Sequence, residues 1–176
     1  MSNFFRKALD VTQSVNGVLL SPPTFDPSLL EILIPLKTGG TLHILPFSTV
    51  RSQSGLSAYL LSVNLDLIMC TPSLFLSLPV NTQRSLLNAS LKIVLGGEAF
   101  PAPLQRLAPW RASVYNIYGT TECSVWAFLC RVSQEDKQIG LGSPFEHIKW
   151  RVINEELWIG GERHITYIGD EIDPPV

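Results

Sequence analysis

Apolar positions in this chain come in short runs, each stopped by turn residues and followed by a longer mixed segment. Val18–Ser21 reads as a strand that ends at Pro22-Pro23. Asp26-Pro27-Ser28 then opens a helix over Ser28–Lys37, with Pro27 suited to a first turn. Gly39-Gly40 stops it, and Thr41–Leu45 reads as the next strand. Gln53–Val63 is helix-like, and Asp66–Cys70 is a strand stopped by Thr71-Pro72. Pro72–Leu78 and Asn81–Leu87 are short helices. Leu91–Leu95 is an apolar strand running into Gly96-Gly97, Pro103–Leu107 is helical, and Ser113–Ile117 runs into Tyr118-Gly119.

Repeated strand–helix–strand units with continuously apolar strands predict an α/β fold. Its sheet is mostly parallel and covered by helices on both faces. The character changes near residue 125. Trp126–Val132, Lys149–Ile153 and Glu156–Ile159 are strand-like runs of mixed polarity. They predict a C-terminal antiparallel β appendage. The expected division is an α/β part over residues 1–125 and a β-rich part over 126–176.

Composition sharpens this picture. The chain has 176 residues, 45% hydrophobic and only 16% charged. A soluble domain usually carries roughly 25% charged residues. The deficit sits in the first hundred residues, where Val11–Phe25, Thr38–Val50 and Leu67–Gln83 carry no Asp, Glu, Lys or Arg. Disorder is excluded, because it needs low hydrophobicity and high charge. With net charge −2 and no basic cluster, binding nucleic acid through charge is excluded as well. No apolar run approaches the roughly 20 residues of a membrane span. With no signal-like apolar region at the start, a cytoplasmic location is expected. Cys70, Cys123 and Cys130 form no C-x-x-C, and His43, His147 and His164 have no ligand spacing. Disulfides and histidine-held metals are not expected.

In an open parallel sheet, ligands bind outside the carboxyl ends of the strands. Three loops fall there. The first, Ser21–Asp26, carries an isolated carboxylate, Asp26, which either holds a ligand ammonium or caps the next helix. The second, Gly96-Gly97-Glu98-Ala99-Phe100-Pro101, either lets the backbone approach a flat ligand or simply turns. The third, Asn116-Ile-Tyr-Gly-Thr-Thr-Glu122, packs an amide, an aromatic ring, two hydroxyls and a carboxylate into seven residues. That set suits a base, a phosphate and Mg²⁺, which binds through one or two carboxylates plus phosphate oxygens. Its alternative is a polar loop whose threonines cap a helix. The phosphate-loop, dinucleotide, nucleophile-elbow and zinc-protease signatures are absent.

Phe25-Asp26, Thr71-Pro72-Ser73, Gly96–Ala99, Asn116–Glu122 and Glu156–Gly161 stand in the order found in adenylate-forming enzymes. The chain resembles that superfamily over about Phe5–Gly161; the group includes acyl-CoA synthetases, luciferases and amino-acid adenylation domains. The resemblance implies part of a large N-terminal domain that binds ATP or AMP with Mg²⁺. It implies that Gly96, Gly97, Glu98 and Ala99 sandwich adenine, that Asn116 contacts its amino group, and that Tyr118, next to Gly119, stacks on the ring. Thr121 would bond the α-phosphate and Glu122 would serve the metal, these two being the catalytic pair. Asp26 would hold a substrate amine, in a pocket lined by Leu30, Met69, Val94, Ile117 and Val125. The implied activity is adenylation of a small carboxylate, such as the amino acid β-alanine, and its transfer to a thiol, plausibly a phosphopantetheine carrier. The family's phosphate loop, hinge and catalytic lysine have no match in the sequence. Asp170 follows Ile168-Gly169 rather than Thr-Gly and does not match the ribose-binding aspartate. The isolated chain is therefore expected to be inactive, with a truncated fatty acyl-CoA synthetase and a non-catalytic nucleotide-binding or interaction remnant as the alternatives. Poor solubility is a further expectation.

Overall fold

The computed structural model of the chain describes residues 7–107, 109–123 and 125–161. Asp170 and the rest of the C-terminal segment lie outside them. Strands β1 (Gly17–Leu19), β2 (Leu42–Ile44), β3 (Leu67–Cys70), β4 (Lys92–Gly96), β5 (Ser113–Tyr118), β6 (Phe128–Arg131) and β7 (Ser143–Pro144) form one seven-stranded sheet. Its spatial order is β2-β1-β3-β4-β5-β6-β7. The first five strands are parallel, and β6 and β7 extend the sheet antiparallel. Strands β8 (Ile148–Ile153) and β9 (Glu156–Gly161) pair with each other as a separate antiparallel sheet. The antiparallel section expected after residue 125 thus divides between the two sheets.

Helices α1 (Ser28–Thr38), α2 (Phe47–Val50), α3 (Gln53–Ser62), α4 (Pro72–Ser77), α5 (Val80–Asn88) and α6 (Ala102–Gln105) connect the parallel strands. Two of the six begin on side-chain caps. Thr71 Oγ1 accepts from Leu74 N–H at 3.3 Å, and Pro72 occupies the first turn of α4. Ser52 Oγ caps α3 by accepting from Gly55 N–H at 3.2 Å. Helix α1 ends on Gly39 in the left-handed conformation, φ 72°. The four-residue α2 was not legible as a regular element, and a short 3₁₀ turn, Thr121–Cys123, stands where the sequence offered a threonine-capped helix start as one reading.

Side chains alternate across each strand, so the sheet has two cores. Ile68, Cys70, Ile93, Leu95 and Val114 enter one, under α3 and α5. Leu67, Met69, Val94, Tyr115 and Ile117 enter the other, under Leu30 and Ile34 of α1 and the Val125–Phe128 segment. Burial on both faces is why β3 and β4 read as continuous apolar runs. Strand β1 stops at Leu19, short of the expected Ser21. The N–H groups of Leu20 and Ser21 donate to a side chain, Glu31, instead of continuing the ladder. No helix among the described residues is long and apolar enough to cross a membrane.

Candidate nucleotide and acyl site

The three loops named above meet at the carboxyl end of the parallel sheet, with β4 and β5 at its centre. Register sets Gly96 beside Ile117 and Leu95 beside Asn116. Period-two alternation then sends Ile117 and Asn116 to opposite faces of one strand end. Two depressions result, with Ile117 on the wall of both.

The first is a pinched apolar pocket of about 10 Å³, roughly the space of one water. Met69, Val94 and Ile117 line it, together with Ser21, Phe25, Pro27, Glu31, Thr71, Gly96 and Trp126. Leu30 lies fully buried in the core beneath, and Val125 is buried beside Trp126 with φ 80°. Neither reaches the pocket wall. Asp26 is half-buried and is not on the pocket wall either, although its sequence neighbours Phe25 and Pro27 are. It makes no capping bond: α1 has no side-chain cap. The pinch comes from Gly96, whose missing Cβ would stand 2.3 Å from Ile117 Cγ2 and 2.7 Å from Trp126 Cη2. Trp126 Nε1 is buried with no hydrogen-bond partner among the described residues. Trp126 and Glu31 were not picked out as pocket residues from sequence. Glu31 reads as an ordinary helix charge, and Trp126 returns to the wall only because the chain doubles back at Gly119.

The second depression is an open groove of about 470 Å³ lined by Gly97, Glu98, Ala99, Asn116, Tyr118 and Gly119, with Phe100, Ile139 and Leu141. Asn116 is buried, and its Nδ2 donates to Gly140 O at 3.0 Å. That bond turns its Oδ1 into the free acceptor, the group an exocyclic amine requires. Tyr118 is 36% exposed, and its ring tilts against Phe128 at 6.3 Å between centroids. Glu98 does not project freely: Ser73 N–H and Oγ–H donate to its Oε2 at 2.9 and 2.5 Å. It ties the glycine loop to the start of α4. Gly119 is compelled by packing, since a Cβ there would lie 2.2 Å from Val125 O. Gly96 belongs to the pocket rather than the groove.

Thr121 and Glu122 lie on the exposed 3₁₀ turn just past the groove. The N–H of Glu122 itself and the Thr120 hydroxyl hold the Glu122 carboxyl below its usual range. Among the described residues no cluster of three acidic, Cys or His side chains suits a metal ion. One ionised, exposed carboxylate fits the Mg²⁺ mode in which phosphate oxygens supply other ligands. The Cys70 thiol, at the pocket floor, is raised well above its usual range by burial and by the nearby Glu31 and Glu98 charges.

A family model of AMP-binding enzymes matches residues 2–162. The β-alanine-activating enzyme of Mus musculus is 32% identical over 98% of this chain, which spans only 18% of that protein. A dimodular nonribosomal peptide synthase of Bacillus subtilis is 29% identical over 89% of the chain and 7% of its own length. Among solved structures, a four-domain nonribosomal peptide synthetase bound to AMP and glycine superposes with a TM-score of 0.81. It is 29% identical, covering 92% of this chain and 13% of its own. The match over nearly all of the chain establishes that it belongs to the AMP-binding enzyme family.

Proposed function

We propose that this chain carries the adenine and acyl subsites of an adenylation site that activates a small amino acid. The observation that carries this is the pairing of a roughly 10 Å³ pocket, pinched by Gly96, Ile117 and Trp126, with an adjoining 470 Å³ groove. The first holds about one water as it stands, so even a small acid must open it and a bulky acyl chain must open it most, whereas a nucleoside has room in the second. Asp26, free of any capping duty, supplies an acceptor for a substrate ammonium at the pocket rim. The small acids named for relatives, β-alanine and glycine, support the same size class.

In this reaction a carboxylate oxygen attacks the α-phosphorus of ATP, and the bond to pyrophosphate breaks. A thiol then attacks the acyl carbon, and AMP leaves; a phosphopantetheine arm on a carrier fits that role. The residues act by position and by matching charge. Asn116 Oδ1 accepts from the adenine amine, Tyr118 covers the ring, and Thr121 donates to the α-phosphate. Glu122 is the residue that would hold Mg²⁺, which neutralises phosphate charge when bound. A cytoplasmic setting, where ATP is abundant, suits this chemistry.

The test is calorimetric titration of the chain with β-alanyl-, phenylalanyl- and hexanoyl-sulfamoyl-adenosine. The expected order is β-alanyl tightest. Tighter hexanoyl binding would reassign the chain to fatty acyl activation, and no binding of any would leave an interaction remnant. The 176-residue chain alone is expected to show no robust ATP–pyrophosphate exchange.

A further inference from the structure

Glu31 is a charged residue in the wrong place for a surface helix. It sits on the inner side of α1 and is only 3% exposed. Its Oε2 accepts from Leu20 N–H at 2.6 Å and from Ser21 N–H at 3.0 Å. Its Oε1 accepts from the Ser21 hydroxyl at 2.5 Å. An ionised carboxylate has about four acceptor positions. Three are occupied by the exit of β1, and the fourth, on Oε1, is unused. Among the described residues no Lys, Arg or His pairs with it. Burial raises its pKa, opposed by the three bonds it accepts. A buried carboxylate with no cation is costly, and helix-to-strand tethering alone does not need a charge, since an amide could accept some of the same bonds.

The same carboxylate lines the pinched pocket, with Ser21, Phe25 and Pro27 from the loop that it grips. We propose that Glu31 is a second carboxylate of the amine subsite: it fixes the Ser21–Pro27 loop with three bonds and offers its remaining lone pair to the substrate ammonium. This rests on the amino-acid reading given above and deepens it. Asp26 then approaches the ammonium from the rim and Glu31 from the wall. The ligand supplies the cation that the fold leaves out. Selectivity for amino acids over neutral acids of equal size becomes a property of two residues, one of them invisible at the surface.

The test uses two probes with the same acyl skeleton, β-alanyl-sulfamoyl-adenosine and its des-amino counterpart propionyl-sulfamoyl-adenosine. The protein is the whole chain, as wild type and as Glu31→Gln, which keeps volume and some acceptor capacity. Loss of a charge-assisted bond predicts that Glu31→Gln weakens the β-alanyl probe by about tenfold or more and the propionyl probe by less than about threefold. Equal weakening of both probes would reduce Glu31 to a structural tether and overturn the proposal, as would no change in either. A second measurement needs neither the variant nor the nucleotide. The carboxyl carbon resonance of Glu31 in the wild-type chain is followed at neutral pH during titration with methylammonium chloride, against sodium chloride. A saturable shift with methylammonium alone is expected, and identical responses to both salts would overturn the proposal. If neither adenylate probe binds the wild type while methylammonium still shifts Glu31, the adenylation reading falls and the amine subsite stands. If methylammonium also fails, both fall.

Discussion

The pinched pocket and the open groove share Ile117 yet are built by different means. Side chains close the pocket: Trp126 and Ile117 press on Gly96, and a buried carboxylate on α1 grips the neighbouring loop. Backbone and loop ties shape the groove: Gly97 and Gly119 lack side chains, Glu98 is tied to Ser73, and Asn116 is tied to Gly140. The difference teaches how one strand end shapes two unlike depressions. The pocket excludes by volume, so its identity lies in a few packed residues. The groove is open and walled by loops, so its shape lies in spacing and in one oriented amide.

The largest expected effect tests the junction between them. Gly119→Ala sets a Cβ 2.2 Å from the backbone oxygen of Val125, which cannot yield without moving the Trp126 segment. A loss of about 4 kcal/mol is expected by urea denaturation, collapsing both sites together. If the variant is as stable as wild type, the two regions are not joined through Gly119.

Gly96→Ala attacks the pocket alone. Its new methyl meets the Ile117 and Trp126 side chains and, at 2.8 Å, the Ile117 backbone oxygen, so strand as well as side chains must shift, at a cost of about 3 kcal/mol. β-Alanyl-sulfamoyl-adenosine should lose affinity while AMP keeps it. Equal loss of both ligands would break the proposed separation of acyl pocket from nucleotide groove.

Glu31→Gln adds a pH signature. Burial holds the folded carboxyl above its ordinary value of 4.5. Its stabilising contribution is therefore complete below that value and is lost as pH rises toward the folded pKa. The melting temperature of wild type minus that of the variant should shrink between pH 4 and pH 7. A difference that grows with pH would show a carboxyl lowered on folding.

Tyr118→Ala should be the mildest for the fold, because the ring is partly exposed: a change within about 0.5 kcal/mol. AMP affinity should nevertheless fall about tenfold, since stacking a base on an aromatic ring contributes about 1–3 kcal/mol. An unchanged AMP isotherm would remove Tyr118 from the groove's function.

How much of the site was legible follows from how local each signal is. Met69 and Val94 are register partners, and Ile117 lies two residues beyond Val94's other partner, Tyr115, on the same face, so alternation near the strand ends points to a shared wall. Asn116, Tyr118 and Gly119 lie in one dense motif and arrive together in one groove. Leu30 and Val125 carry the right chemistry but drop beneath the pocket, because helix rotation and a positive φ aim them into the core. Glu31 stayed hidden because a single acid on an amphipathic helix looks like its solvent side. Only the approach of α1 to the end of β1 buries it. Gly140 gave no sign of its bond to Asn116, 24 residues away.

The sequence by itself determined the strand–helix alternation, the parallel sheet, the three loops at its carboxyl end and their membership of one motif set. Apolar period, helix caps and turn residues act over a few positions and can be read in order. Tertiary structure alone decided the size of the pocket, the burial of an unpaired carboxylate in its wall, and the partition of the antiparallel strands between two sheets. Each depends on segments far apart in sequence closing to within a few ångströms, and close packing permits only one such arrangement.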